Sequence, residues 1–195
     1  KNKSNKNHFC LSSYSTDEIE NSYNWFKDFN KKLDVLLIMN GFGKGGKINE
    51  ISLLDIEEMI NSNLLIPYKY LYYFTKKLIE QKFGNIIFFG SVAGIKYSPN
   101  FAMYSATKFA LRALVEAYRN EFQEYNIKTT NLQPGFVETK FWDKFALGNQ
   151  PLDYNKQNAI SVQDVSELIN NAIFMNDNSN LTINELTFRS VFQER

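Results

Sequence analysis

The chain has 195 residues, 44% hydrophobic and 22% charged, with a net charge of +1 from 22 basic and 21 acidic side chains. That length and apolar content suit one domain with a sizeable core, so residues 1–195 are expected to form a single domain. The balanced charge gives no electrostatic case for nucleic acid or a membrane surface, and no apolar run reaches the ~20 residues of a membrane span. One histidine, His8, and one cysteine, Cys10, are too few for an intrachain disulfide or a zinc site. A soluble, cytoplasmic protein is expected.

In chain order, His8–Ser13 reads as a short strand, and Ser15 or Thr16 as the cap of a helix carrying Ile19, Tyr23, Trp25 and Phe26. Leu33–Met39 is a nearly continuous apolar strand of the kind buried on both faces of a parallel sheet. Glycines crowd residues 41–46, and a long helical stretch follows from about Leu53 to Gln81, broken near Asn63 and Pro67. Asn85–Phe89 is a second buried strand ending at Gly90-Ser91. A helix is expected over Phe101–Tyr125, a strand over Lys128–Leu132, a helix over Val162–Phe174 capped by Ser161, and a last strand over Leu181–Phe188. Strands alternating with helices imply parallel pairing and right-handed crossovers, hence a doubly wound α/β sheet. Ligands of such sheets sit beyond the carboxyl ends of the strands, where Asn40, Ser91 and Pro134 fall.

Tyr104 and Lys108, four apart on a predicted helix, project from one face a turn apart. A phenol keeps its proton to about pH 10, and a fixed ammonium beside it favours the phenolate and lowers that pKa. Ser91, from another element, could hold a substrate oxygen beside the phenol. The three together suit proton transfer in a carbonyl/alcohol interconversion.

These residues resemble the short-chain dehydrogenase/reductase family. Gly90-Ser91-Val92-Ala93-Gly94 is similar to its strand-end serine segment, Tyr104-x-x-x-Lys108 to its catalytic helix, and Pro134-Gly135-Phe136-Val137-Glu138-Thr139 to the segment over the nicotinamide. Asn63 matches the asparagine of its catalytic tetrad, and the order and gaps agree from about His8 to Phe188. The resemblance implies a Rossmann-like fold and an NAD- or NADP-dependent oxidoreductase acting on a small carbonyl or alcohol. Tyr104 would transfer the proton, Ser91 would bond the substrate oxygen, and Lys108 would lower the tyrosine pKa and bind the nicotinamide ribose. Asn63 would hold a water, which its main-chain carbonyl is freed to do because Pro67 has no N–H. Asn40, Gly41, Pro134, Gly135, Val137 and Thr139 would line the cofactor.

The family's glycine fingerprint after the first strand is absent, with one strand–helix–strand unit. Either an N-terminal part lies outside this sequence or the chain binds a dinucleotide poorly. The first is expected, because a sheet lacking central strands exposes unpaired edges. Gly41-Phe42-Gly43-Lys44-Gly45-Gly46 spells G-x-G-x-x-G, but Lys47–Glu50 intervene before any helix, so it is not expected to substitute. The family's Asn-Asn-Ala-Gly stands here as Ile38-Met39-Asn40-Gly41, and its adenine-binding aspartate as Ser13, to which no adenine role is assigned. A serine hydrolase is disfavoured, since His8 sits far from a strand-end Gly-Ser-Val-Ala-Gly. The alternative is a degenerate scaffold that binds a ligand or partner without turnover. Aromatic density on the helices around Tyr68–Phe74 and Phe109–Tyr118 suggests, with the resemblance, a homodimer or homotetramer. Phe141-Trp142-Asp143-Lys144-Phe145 falls where the family carries a substrate-covering segment, and its aromatics point to an apolar or ring-containing substrate.

Overall fold

A computed structural model gives the architecture. It describes residues 14–29, 31–142, 145–147, 150–151, 158–177 and 180–192. The strand expected over His8–Ser13 lies outside them.

Four strands, β1 (Val35–Ile38), β2 (Gly84–Phe89), β3 (Ile127–Pro134) and β6 (Glu185–Phe188), form one parallel sheet in the order β1-β2-β3-β6. Two short strands, β4 (Ala146–Leu147) and β5 (Gln150–Pro151), pair antiparallel apart from it. The helices are α1 (Thr16–Asp28), α2 (Leu53–Ile60), α3 (Ile66–Gln81), α4 (Ala102–Phe122) and α5 (Val162–Asp177). Among the described residues no helix is long and apolar enough to cross a membrane.

Alternation along the strands builds two cores. Leu36, Ile38, Ile86 and Phe88 face α1, α3 and α4, where Ile19, Leu71, Leu78, Leu111 and Val115 are buried. Their neighbours Val35, Ile87 and Phe89, with Leu132, Leu186 and Phe188, face α5 through Val165 and Ile169 on the opposite side. Strand order advances in one direction, yet α5 lies on the face opposite α3 and α4. The three crossovers therefore cannot share one hand. With the first two right-handed, as parallel connections nearly always are, the β3–β6 connection is left-handed, which corrects the expectation of uniform right-handedness. The segment after Pro134 carries the chain to the other face, since Val137 bridges Ile160 just before α5 begins.

Local signals explain the helix ends. Ser15 caps α1 by accepting from Glu18 N at 3.2 Å, Ser52 caps α2 by accepting from Asp55 N at 3.1 Å, and Ser161 accepts from Asp164 N at 3.0 Å. The break expected near Asn63 and Pro67 is a π-helical turn over Asn61–Leu65, in which Ile66 N bonds Asn61 O instead of the carbonyl four residues back. Gly84 joins α3 to β2 at φ +141°, a conformation open to glycine alone. The glycine loop at 41–46 runs into a turn over residues 48–50, and α2 starts only at Leu53, so no helix N-terminus meets Gly46.

Candidate active site

The strand ends deliver their side chains to one cavity of about 570 Å³. Its lining includes Asn40 and Gly41 after β1, Gly90 and Ser91 after β2, and Pro134, Gly135, Val137 and Thr139 at and beyond the end of β3. Tyr104 and Lys108 enter from the first two turns of α4. All of the expected site residues except Asn63 line it.

Ser91 leaves β2 fully extended, at φ −172° and ψ 156°, and caps the short turn Val92–Gly94, its Oγ accepting from Ala93 N at 3.1 Å. The Ser91 hydroxyl lies beside the Tyr104 phenol, close enough to favour its ionised form. Lys108 Nζ lies 5.8 Å from the centre of the Tyr104 ring and donates to Phe89 O at 3.1 Å. Serine, tyrosine and lysine thus meet in one cluster, each less than a tenth exposed.

Burial reverses one sequence-based expectation. The Tyr104 pKa is pushed up to about 12 by desolvation, against which the neighbouring Ser91 hydroxyl pulls downward. Lys108 is pushed down from 10.5 to about 8 by the same desolvation. The shielding that removes water from both groups outweighs the pull of the neighbouring amine on this phenol.

Asn63 stands one layer back and is fully buried. Its Oδ1 accepts from Phe42 N at 2.8 Å, while Nδ2 donates to Phe42 O at 2.9 Å and to Thr107 Oγ1 at 2.8 Å. A Cβ on Gly41 would lie 3.3 Å from Asn63 Oδ1 and 3.6 Å from Lys108 Nζ, so the bare glycine lets the loop pass between amide and ammonium. Thr107 carried a signal the sequence reading missed, since it lies three residues after Tyr104 on the same helical face.

Aromatic rings pack around Tyr104, and two of them, Phe141 and Trp142, line the cavity. Phe145 is 1% exposed and meets the Tyr104 ring edge-on at 5.5 Å, with Phe101 stacked at 5.4 Å and Trp142 at 5.2 Å. Phe141 lies 6.2 Å from Tyr104, and Trp142 Nε1 donates to Val137 O at 2.9 Å. Any side chain at Gly43 would run into the Phe141 and Phe145 rings. Asp143 and Lys144 lie outside the described residues.

A nicotinamide ring and its ribose fit this donor set. Asn40, Gly41, Pro134, Gly135, Val137 and Thr139 line the cavity, and Lys108 supplies an ammonium beside Gly41, where a Cβ would narrow the space. The family's model of the short chain dehydrogenase matches residues 3–149. The chain belongs to the short-chain dehydrogenase family. An uncharacterized short-chain type dehydrogenase/reductase of Sinorhizobium fredii is 31% identical over 151 residues, which cover 75% of this chain and 60% of that protein. The chain thus spans less than two thirds of that relative's length. Among solved structures, an alcohol dehydrogenase from the archaeon Thermococcus sibiricus, complexed with 5-hydroxy-NADP, superposes with a TM-score of 0.80 at 24% identity. That match covers 95% of this chain and 74% of the other. ElxO with NADP bound is 26% identical with a TM-score of 0.74, covering 91% and 74%.

Proposed function

We propose that this protein is an oxidoreductase that uses a nicotinamide dinucleotide, NAD or NADP, to interconvert a small carbonyl compound and its alcohol. One observation carries the reading: Ser91, Tyr104 and Lys108 meet at the mouth of strands β2 and β3, in a cavity whose other walls are the expected cofactor-lining residues. Family membership and the NADP held by ElxO support the cofactor class.

The cofactor, when bound, supplies hydride to the carbonyl carbon. The chain's own groups handle the oxygen. Ser91 Oγ donates to that oxygen and steadies the charge that develops on it. Tyr104 gives up its proton as the alkoxide forms, so carbonyl, hydride and proton together become an alcohol. A phenol with a pKa near 12 is protonated at neutral pH and can donate to a strongly basic alkoxide. Lys108 stabilises the phenolate left behind and, with its pKa near 8, carries its charge at neutral pH. Asn63 clamps the Phe42 main chain and so fixes the loop carrying Gly41 beside the ammonium. Phe141 and Trp142 line the cavity and favour an apolar or ring-bearing substrate, while Phe145 packs behind them on Tyr104. Tyr68 and Tyr72 on α3 and Phe109 on α4 are more than a third exposed, which suits association of two copies through these helices.

Tyr104→Phe tests the reading. It should lower carbonyl reduction about a thousandfold or more while NADPH affinity stays within about twofold, because the ring remains and only the proton is lost. Undiminished turnover would remove Tyr104 as the donor.

A further inference from the structure

Gln133 is the only side chain of β3 that touches the Ser91 turn by a hydrogen bond among those described, and no step above uses it. It is 0% exposed, one residue before the Pro134-Gly135 turn. Its Oε1 accepts from Ser91 N at 3.3 Å and its Nε2 donates to Glu185 Oε2 at 3.0 Å. Glu185, on β6, is gripped by Arg112 of α4, with Nε at 2.7 Å from Oε2 and the second nitrogen at 3.0 Å from Oε1. Arg112 lies one turn beyond Lys108. The chain of bonds therefore runs from the serine main chain through two strands to the helix that bears the tyrosine and lysine.

Chemistry fixes the direction of this chain. A main-chain N–H can only donate and an ionised carboxylate can only accept, so the group between them must accept at one end and donate at the other. A carboxamide does so. Leucine or methionine of similar length does neither, and lysine has no acceptor. Burial pushes the Glu185 carboxyl up, but the bonds from Arg112 and Gln133 outweigh it and keep it ionised. The close fit of the turn leaves little slack: a Cβ on Gly90 would lie 3.1 Å from Gln133 Oε1, and one on Gly94 would lie 2.9 Å from Lys108 O.

We propose that Gln133 is a positioning residue that holds the Ser91 hydroxyl against the Tyr104 phenol, with Glu185 and Arg112 locking its amide in the required orientation. The inference rests on the roles given above to Ser91 and Tyr104, and its test separates the two.

In the full chain, amide hydrogen exchange at Ser91 should quicken at least about tenfold in Gln133→Met, while Gly90, which donates to Leu132 O at 2.7 Å, keeps its rate. With 4-nitrobenzaldehyde and NADPH as probes, the same variant should lose about ten- to a hundredfold in kcat, with NADPH affinity within about twofold. In a Ser91→Ala background, Gln133→Met should cost nothing more, because its effect passes through that hydroxyl. Gln133→Glu gives a pH signature. Its new carboxyl, when protonated, keeps one acceptor and one donor; when ionised it repels Glu185. Glu185 in turn faces Arg112 and Arg119 of α4. Turnover should therefore be retained at low pH and fall as pH rises through that carboxyl's pKa, a limb absent from the wild type. Unchanged Ser91 exchange in Gln133→Met, or a full further loss in the Ser91→Ala background, overturns the positioning role. Faster Ser91 exchange in Gln133→Met, beside a wild type that reduces no carbonyl with NADPH or NADH, upholds the positioning and counts against the oxidoreductase reading alone.

Discussion

Lys108 is the residue whose environment departs furthest from its sequence expectation. It is 4% exposed, with its ammonium answered by one carbonyl, Phe89 O. Its pKa falls from 10.5 to about 8, so the folded protein sheds this proton before the unfolded chain does. Between those values the unfolded state binds more protons, and stability must rise with pH. The gain across that window approaches roughly 3 kcal/mol. Below pH 8 both states are charged and the full penalty of burying the ammonium remains. Lys108→Met should lack this rise: urea midpoints of the variant and the wild type should differ in favour of the wild type as pH moves from 8 to 10.5. Parallel curves for the two proteins across that window would show that the ammonium is not buried as described. The spacing of Tyr104 and Lys108 made their proximity legible in the sequence. Their proton affinities were not, because those depend on how completely the Phe141–Phe145 rings and α4 exclude water.

At the scale of elements, the short turn Val92–Gly94 matters more than its three residues suggest. It presses on α4 at Lys108, where a Cβ on Gly94 would meet the carbonyl oxygen at 2.9 Å and the carbonyl carbon at 3.1 Å. Backbone on backbone cannot yield as a flexible side chain can, so Gly94→Ala should shift the whole turn. We expect a loss of roughly 1–3 kcal/mol in stability from overpacking, read as a lowered urea midpoint. Turnover should fall with it, since Ser91 heads that turn. The glycines of Gly90-Ser91-Val92-Ala93-Gly94 were visible in the sequence, and so was a break near Pro67, since a missing N–H must interrupt the ladder. That the break would take the form of a π turn over Asn61–Leu65 was not, because it depends on the Asn63 amide finding Phe42 and Thr107 across 21 and 44 residues of chain. Gln133 and Glu185 escaped notice for the same reason, being a pair set 52 residues apart.

The whole molecule is organised by its central pair of strands. β2 and β3 are paired on both edges, whereas β1 and β6 end the sheet among the described residues. Strand identity and parallel pairing followed from apolar runs alternating with helical periods, but the hand of the last crossover did not. The sequence between Pro134 and Val162 carries no pattern that says which face α5 will take. Leu37 and Met39 illustrate the consequence at the β1 end, being 41% and 56% exposed in a run that reads as buried on both faces. Amide exchange should record this gradient. Interior amides of Ile86–Phe88 and Thr129–Leu132 need the sheet itself to open, and their side chains are almost wholly buried. They should exchange slowest, with protection close to the global unfolding free energy. Leu36–Ile38 and Leu186–Thr187, each held from one side among the described residues, should open by fraying and exchange faster. Protection of Leu36–Ile38 equal to that of Ile86–Phe88 would mean that another strand or chain covers the β1 edge in solution.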